Sequence, residues 1–146
     1  METVVGAIEP SLKRAEIARA TAKPAERLDA CDLCLRAWPC YNASGCEASD
    51  RAIALLRRAL EKDPTYMRAK VFLASAYAMR EAQDFVSRGD REMGIALARE
   101  ILEMDTNDPE ALCRAGFTIS ELSGDFLPPS RHSIGHCFCT PVLFWH

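Results

Sequence analysis

The feature that most constrains this sequence is the stretch from residue 52 to residue 77, in which Pro64 separates two segments of helical periodicity. Small and large apolar residues recur at helical spacing on both sides of this proline, at Ala52, Leu56, Ala59, Leu73, Ala74 and Tyr77. Proline lacks a backbone N–H and restricts the residue before it, so the first helix cannot continue through this point. The stretch therefore predicts two amphipathic helices that meet at a tight corner.

The same periodicity predicts an all-α fold over most of the chain. Helices are expected near residues 8–20, 26–38, 49–62, 66–81, 91–104 and 109–122. Pro39 is expected to kink or end the second helix after Trp38, because it removes a backbone donor. Ser49 or Asp50 is expected to cap the third helix, and Asp90 the fifth. The four middle helices should pack as two antiparallel hairpins.

The corner at Pro64 recurs later in the chain. Glu-Lys-Asp-Pro ending at Pro64 matches Glu-Met-Asp-Thr ending at Thr106, 42 residues further on. Small residues between the two corners, such as Gly94 and Ala98, would let neighbouring helices approach closely. This pattern resembles the tetratricopeptide repeat, in which a pair of helices recurs about every 34 residues. The longer spacing places the extra residues in the connection 81–91; an unrelated helical bundle with alanine as filler is the alternative.

The repeat resemblance implies three parts in the chain. Residues 24–126 would form about two and a half tetratricopeptide-like units of an α-solenoid, and residues 1–23 a linker helix from a preceding domain. Residues 127–146 are expected to be an irregular tail, because they contain three prolines and lack helical periodicity. The helix at 109–122 would then lack the partner that normally ends a repeat array, so its apolar face is expected to allow self-association.

A more specific resemblance lies in the first 37 residues. It is carried by Val-Gly-Ala-Ile-Glu-Pro-Ser-Leu, Ala-Glu-Ile-Ala-Arg-Ala, Lys-Pro and Leu-Asp-Ala-Cys-Asp-Leu-Cys-Leu-Arg-Ala. These segments resemble the linker and first repeat helix of bacterial adenylate-cyclase-like regulators, and the likeness extends over residues 4–126. In that family a class III cyclase or DNA-binding domain precedes a small α/β domain and a repeat array. The resemblance implies a fragment of a signalling protein that lacks the catalytic domain.

The composition argues against several classes of partner. The net charge of −3 gives no broad basic surface for nucleic acid or for an anionic membrane. The N-terminal sequence lacks the basic region and apolar run of a secretory signal, and no apolar run reaches the ~18 residues of a spanning helix. We therefore expect a cytoplasmic protein with no nucleic-acid or membrane partner.

No motif in the sequence indicates catalysis: a Gly-rich phosphate loop, a nucleophile elbow and a Ser/His/Asp set are all missing. We predict no catalytic residue, no cofactor and no metal. A small metal-binding protein is the alternative, because two clusters carry thiol and imidazole side chains, which are zinc ligands. The clusters are Cys31, Cys34, Cys40 and Cys46, and in the tail His132, His136, Cys137 and Cys139.

The function that this architecture favours is a noncatalytic protein-interaction or regulatory module. Stacked hairpins present their first helices along one concave face. Residues expected to line that face and contact a protein, a peptide or a neighbouring domain are Arg68, Val71, Ser75, Ala78, Glu110, Cys113, Phe117 and Ser120. The alternative for some of them is simple packing inside the fold. Arg57 and Glu61 are expected to form an ion pair on a solvated helix face.

Overall fold

A computed structural model describes residues 2–43, 45–84, 86–104 and 107–124. All regular structure in these ranges is helical, which confirms the all-α prediction for them. The α-helices are α1 (Glu2–Ala22), α2 (Ala30–Asn42), α3 (Cys46–Lys62), α4 (Met67–Ala82), α5 (Arg88–Glu103) and α6 (Pro109–Ser123), with a short 3₁₀ turn at Ala25–Arg27. The predicted irregular tail, residues 127–146, lies outside the described residues.

The second helix begins and ends later than predicted. A reciprocal capping box places its start at Ala30: the Asp29 carboxylate accepts from the Asp32 amide at 2.8 Å, and the Asp32 carboxylate accepts from the Asp29 amide at 3.2 Å. At the other end the helix passes Pro39 and continues to Asn42. Pro39 is exposed on the surface of the helix, and the helix continues although the carbonyl four residues earlier loses its usual N–H donor.

Two predicted helix caps are wrong. α3 begins at Cys46, so Ser49 and Asp50 lie inside the helix and neither caps it. Gly45 occupies the cap position, and its φ of 116° lies in the region that favours glycine. α5 begins after Ser87, whose hydroxyl accepts from the Asp90 amide at 3.1 Å. Asp90 therefore lies inside the first turn of α5 and its carboxylate is available for other partners.

The start and end of α6 follow the local sequence closely. The Asp108 carboxylate accepts from the amides of Glu110 at 3.0 Å and Ala111 at 3.3 Å. Pro109 occupies the first turn, where its missing N–H has no intrahelical acceptor to lose. Gly124 ends the helix with a φ of 69°, the left-handed conformation common at helix ends.

Consecutive helices pack on each other along the chain, and α4 lies at the centre. It contacts α2, α3, α5 and α6, and 10 of its 16 residues are buried. α2 packs against α3, and α4 packs against α5. The largest fully buried apolar side chains are Leu33, Leu56, Tyr77 and Ile101, one from each of these four helices. None of the described helices combines the length and the apolar content needed to cross a bilayer.

Small residues mark the closest helix contacts, as the sequence predicts. Ala59 and Ala98 are fully buried. A Cβ atom added at Gly94 of α5 would lie 2.4 Å from Leu122 Cδ1 of α6 and 3.1 Å from Tyr77 Cβ of α4. A side chain at this position would therefore press against both α4 and α6, and glycine avoids these contacts.

Candidate functional site

Three aromatic rings from α2 and α4 form a cluster, which we call the aromatic patch: Trp38, Tyr41 and Phe72. The Trp38 ring centre lies 5.1 Å from that of Phe72 and 6.1 Å from that of Tyr41, and the Tyr41 and Phe72 centres are 5.5 Å apart. Such pairs contribute about 0.5–1.5 kcal/mol beyond the area that they bury. Tyr41 is buried, whereas Trp38 and Phe72 are half-buried and keep part of their surface accessible.

Two cations from other helices lie over these rings. Lys13 Nζ of α1 is 3.4 Å from the centre of the Trp38 ring, and Arg114 Cζ of α6 is 5.7 Å from the centre of the Phe72 ring. Both distances fall within the range of cation–π attraction. The patch and its cations therefore bring together side chains from α1, α2, α4 and α6.

The Arg114 guanidinium is held in place by two hydrogen bonds. Its Nε donates to Glu110 Oε1 at 2.9 Å, and its Nη1 donates to the Tyr41 hydroxyl at 3.2 Å. Burial by itself would lower the pKa of Arg114, but Tyr41 and Glu110 outweigh this effect and the pKa lies above its usual range. Arg114 is therefore a fixed positive charge beside the aromatic patch.

The predicted partner face is accessible only in part. Arg68, Glu110 and Phe117 are exposed, and Cys113 and Ser120 are half-buried. The three remaining residues are buried, which corrects the prediction: Val71, Ser75 and Ala78. The reason is that α3, α5 and α6 all pack against α4, so these residues lie inside helix contacts.

The aromatic patch was not predicted from the sequence, because Val71 and not Phe72 was assigned to the accessible side of α4. Phe72, not Val71, shares the accessible side of α4 with Arg68 one turn earlier. Two spacings in the sequence could have indicated the site. Trp38 and Tyr41 are i, i+3 neighbours, and Arg114 follows Glu110 at i, i+4 and forms the ion pair that this spacing favours.

Arg57 is exposed, as predicted, but its hydrogen-bond partners differ from the prediction. Its Nε and Nη2 donate to the Tyr77 hydroxyl at 3.0 and 2.8 Å, and Nη2 also reaches Asp90 Oδ1 at 3.1 Å. No ion pair between Arg57 and Glu61 occurs in the part of the chain that the structure describes. The long-range partners from α4 and α5 thus replace the neighbour one turn along α3.

Arg80 of α4 forms the second half of the same network. It is 9% exposed, and it donates to Ser49 Oγ at 2.9 Å and to Asp90 Oδ2 at 3.1 Å, and it also pairs with Asp50. Every buried side-chain nitrogen and oxygen in the described residues has a hydrogen-bond partner. With its polar groups satisfied and three helices around it, this network fits a structural role.

The cysteine cluster does not assemble into a metal site within the described residues. No three His, Cys, Asp or Glu side chains come together there in a suitable arrangement. Cys31 is exposed and Cys34 is buried. Burial, with a further contribution from Cys31, raises the pKa of the Cys34 thiol to about 12, so this group stays protonated at neutral pH. The second cluster, His132, His136, Cys137 and Cys139, lies outside the described residues.

Comparison with known proteins does not identify this chain. No protein-family model matches it, and neither a curated protein nor a solved structure does. The resemblance to tetratricopeptide repeats and to adenylate-cyclase-like regulators therefore remains a prediction from sequence.

Proposed function

We propose that this chain is a noncatalytic protein-interaction module and that its partner binds at the aromatic patch. The observation that carries the proposal is the half-buried state of Trp38 and Phe72, which meet beside Arg114 where α2, α4 and α6 come together. Tryptophan, tyrosine and arginine are the residues that contribute most to binding at protein interfaces. A protein or peptide segment, from another chain or from a neighbouring domain, would cover the exposed part of these rings.

The order of helix contacts supports a repeat-like arrangement for this module. α2 packs on α3 and α4 packs on α5, while α4 also contacts both α2 and α6, two helices away in the sequence. In tetratricopeptide-like arrays the first helices of successive units adjoin in this way and form the binding face. On this proposal α2, α4 and α6 are those first helices, and the aromatic patch lies on the face that they share.

A peptide selection tests the proposal directly. A display library of random 12-residue peptides is selected on the immobilised full chain, and the recovered peptides are measured on variants. Trp38→Ala should weaken binding by at least about tenfold, since truncation of a central aromatic costs roughly 1.4 kcal/mol or more. Met93→Ala removes a 50% exposed side chain from α5, which does not contribute to the patch, and should leave binding unchanged.

Circular dichroism of each variant separates a lost contact from a lost fold. Peptides that bind a folded Trp38→Ala variant as tightly as the original chain would contradict the proposal, as would a selection that recovers no binding peptide. Turnover of ATP by the purified chain would contradict the noncatalytic part.

A further inference from the structure

We infer that the segment bound at the aromatic patch is acidic, with an apolar side chain flanked by aspartate or glutamate. This inference rests on the proposed function and specifies the chemistry of its partner. Three features support it: the hydrogen-bonding capacity of Arg114, the position of Arg68 and the negative net charge of the chain.

Arg114 retains unused donors at the patch. Its Nε and Nη1 are engaged by Glu110 and Tyr41, but Nη2 has no hydrogen-bond partner among the described residues. The side chain is 25% exposed, so a group from a bound partner can reach the guanidinium. A guanidinium binds carboxylates with strong, charge-assisted N–H···O bonds. A carboxylate is therefore the group best suited to the free edge of Arg114.

Arg68 supplies a second positive charge close to the patch. It is exposed on α4 four residues before Phe72, so the two side chains share one side of the helix. No ion pair or hydrogen bond involves Arg68 in the described part of the chain. A partner that places an apolar residue against Phe72 therefore has two cations nearby. Arg68 lies one helical turn away on α4, and Arg114 of α6 lies over the Phe72 ring.

The positive charge beside the aromatic patch contrasts with the balance of the whole chain. The protein carries a net charge of −3. At the patch itself, the Glu110 carboxylate is bound to Arg114. Complementary charge favours an acidic segment here and disfavours a basic one.

Single-stranded nucleic acid also combines negative charge with groups that stack on aromatic rings. The acidic balance of the chain disfavours it, because nucleic-acid binding depends on an extended positive surface. Binding of an oligonucleotide is therefore an outcome that the experiment must be able to detect.

The test uses three pools of synthetic 12-residue peptides with a central Phe or Leu. The other positions are drawn at random from Ala, Ser and two further residue types. These two types are Asp and Glu in the acidic pool, Asn and Gln in the neutral pool, and Lys and Arg in the basic pool. Retention on the immobilised full chain is measured for each pool and for a 12-nucleotide oligo-dT. We expect the acidic pool to be retained at least about tenfold more strongly than the neutral one, and the advantage to shrink as salt is raised.

Variants of matched charge assign the preference to the patch. Arg114→Gln and Arg68→Gln should each reduce retention of the acidic pool at least about threefold, and Arg114→Lys, which keeps the charge but loses the planar fork, should fall between. Arg88→Gln removes the same charge from an exposed position on α5 and should change nothing.

The outcomes separate this inference from the proposed function. Equal retention of the acidic and neutral pools, with loss of both on Trp38→Ala, would overturn the acidic partner and leave the interaction site standing. Absence of retention for all three pools would overturn both. Stronger retention of oligo-dT than of any peptide would also overturn the inference and replace the peptide with a nucleic-acid strand.

Discussion

Gly94→Ala tests the helix contact on which the centre of this fold depends. The added Cβ would lie 2.4 Å from Leu122 Cδ1 and 3.1 Å from Tyr77 Cβ. The Leu122 methyl is the end of a flexible side chain and can rotate away, but the Tyr77 Cβ is attached to the backbone of α4. The substitution therefore forces α4 and α5 apart by a few tenths of an ångström.

Two opposing effects set the expected magnitude. Overpacking of this kind costs about 1–3 kcal/mol, and replacing glycine by alanine within a helix returns about 1 kcal/mol. Gly116→Ala provides the matched control, because a Cβ at Gly116 of α6 would have no atom within 4 Å. Gly116→Ala should thus stabilise the protein by up to about 1 kcal/mol, and Gly94→Ala should be less stable than this control by about 1–3 kcal/mol.

Urea unfolding followed by circular dichroism measures the difference, which corresponds to roughly 3–9 °C in Tm for a chain of this size. Combining Gly94→Ala with Leu122→Ala should cost less than the sum of the two single changes, because the second removes one partner of the clash. If Gly94→Ala stabilises the protein as much as Gly116→Ala, then α4, α5 and α6 do not meet at this position and the described packing is incorrect.

Two further predictions concern buried positions. Ala59→Trp should lower the free energy of unfolding by at least about 1–3 kcal/mol, because Ala59 is fully buried; an unchanged urea midpoint would place Ala59 on the surface. At pH 8 an aromatic disulfide reagent should modify the exposed Cys46 quickly and the buried Cys34 only on unfolding. Mass spectrometry follows the two modification rates, and equal rates for the two thiols would disprove this prediction. Because the pKa of Cys34 is raised from 9.0 to about 12, its contribution to stability is complete below pH 9 and is lost as the pH rises toward 12.

Features that depend on neighbouring residues could be predicted from the sequence. The Asp108 cap, Pro109 in the first turn and Gly124 after the last turn define α6 because each acts through its own backbone and the adjacent amides. The corner at Pro64 separates α3 from α4 for the same kind of reason.

Features that depend on distant residues could not be predicted in this way. Val71 and Phe72 are adjacent and apolar, and only the positions of α2, α3, α5 and α6 around α4 decide that one is buried and the other half-buried. Ser87 and Asp90 are both good helix caps by type. Asp90 is instead engaged by Arg57 and Arg80, two residues from other helices that no local pattern brings to it.

The position of Asp90 also determines how this chain should come apart. Arrays of helical hairpins often lose structure unit by unit, because each unit contacts only its neighbours. Here one carboxylate in the first turn of α5 holds Arg57 of α3 and Arg80 of α4, so melting that turn leaves both cations without it. α3, α4 and α5 are thereby coupled into one cooperative unit, whereas α1, which among the described helices packs on α2 alone, can unfold without disturbing them.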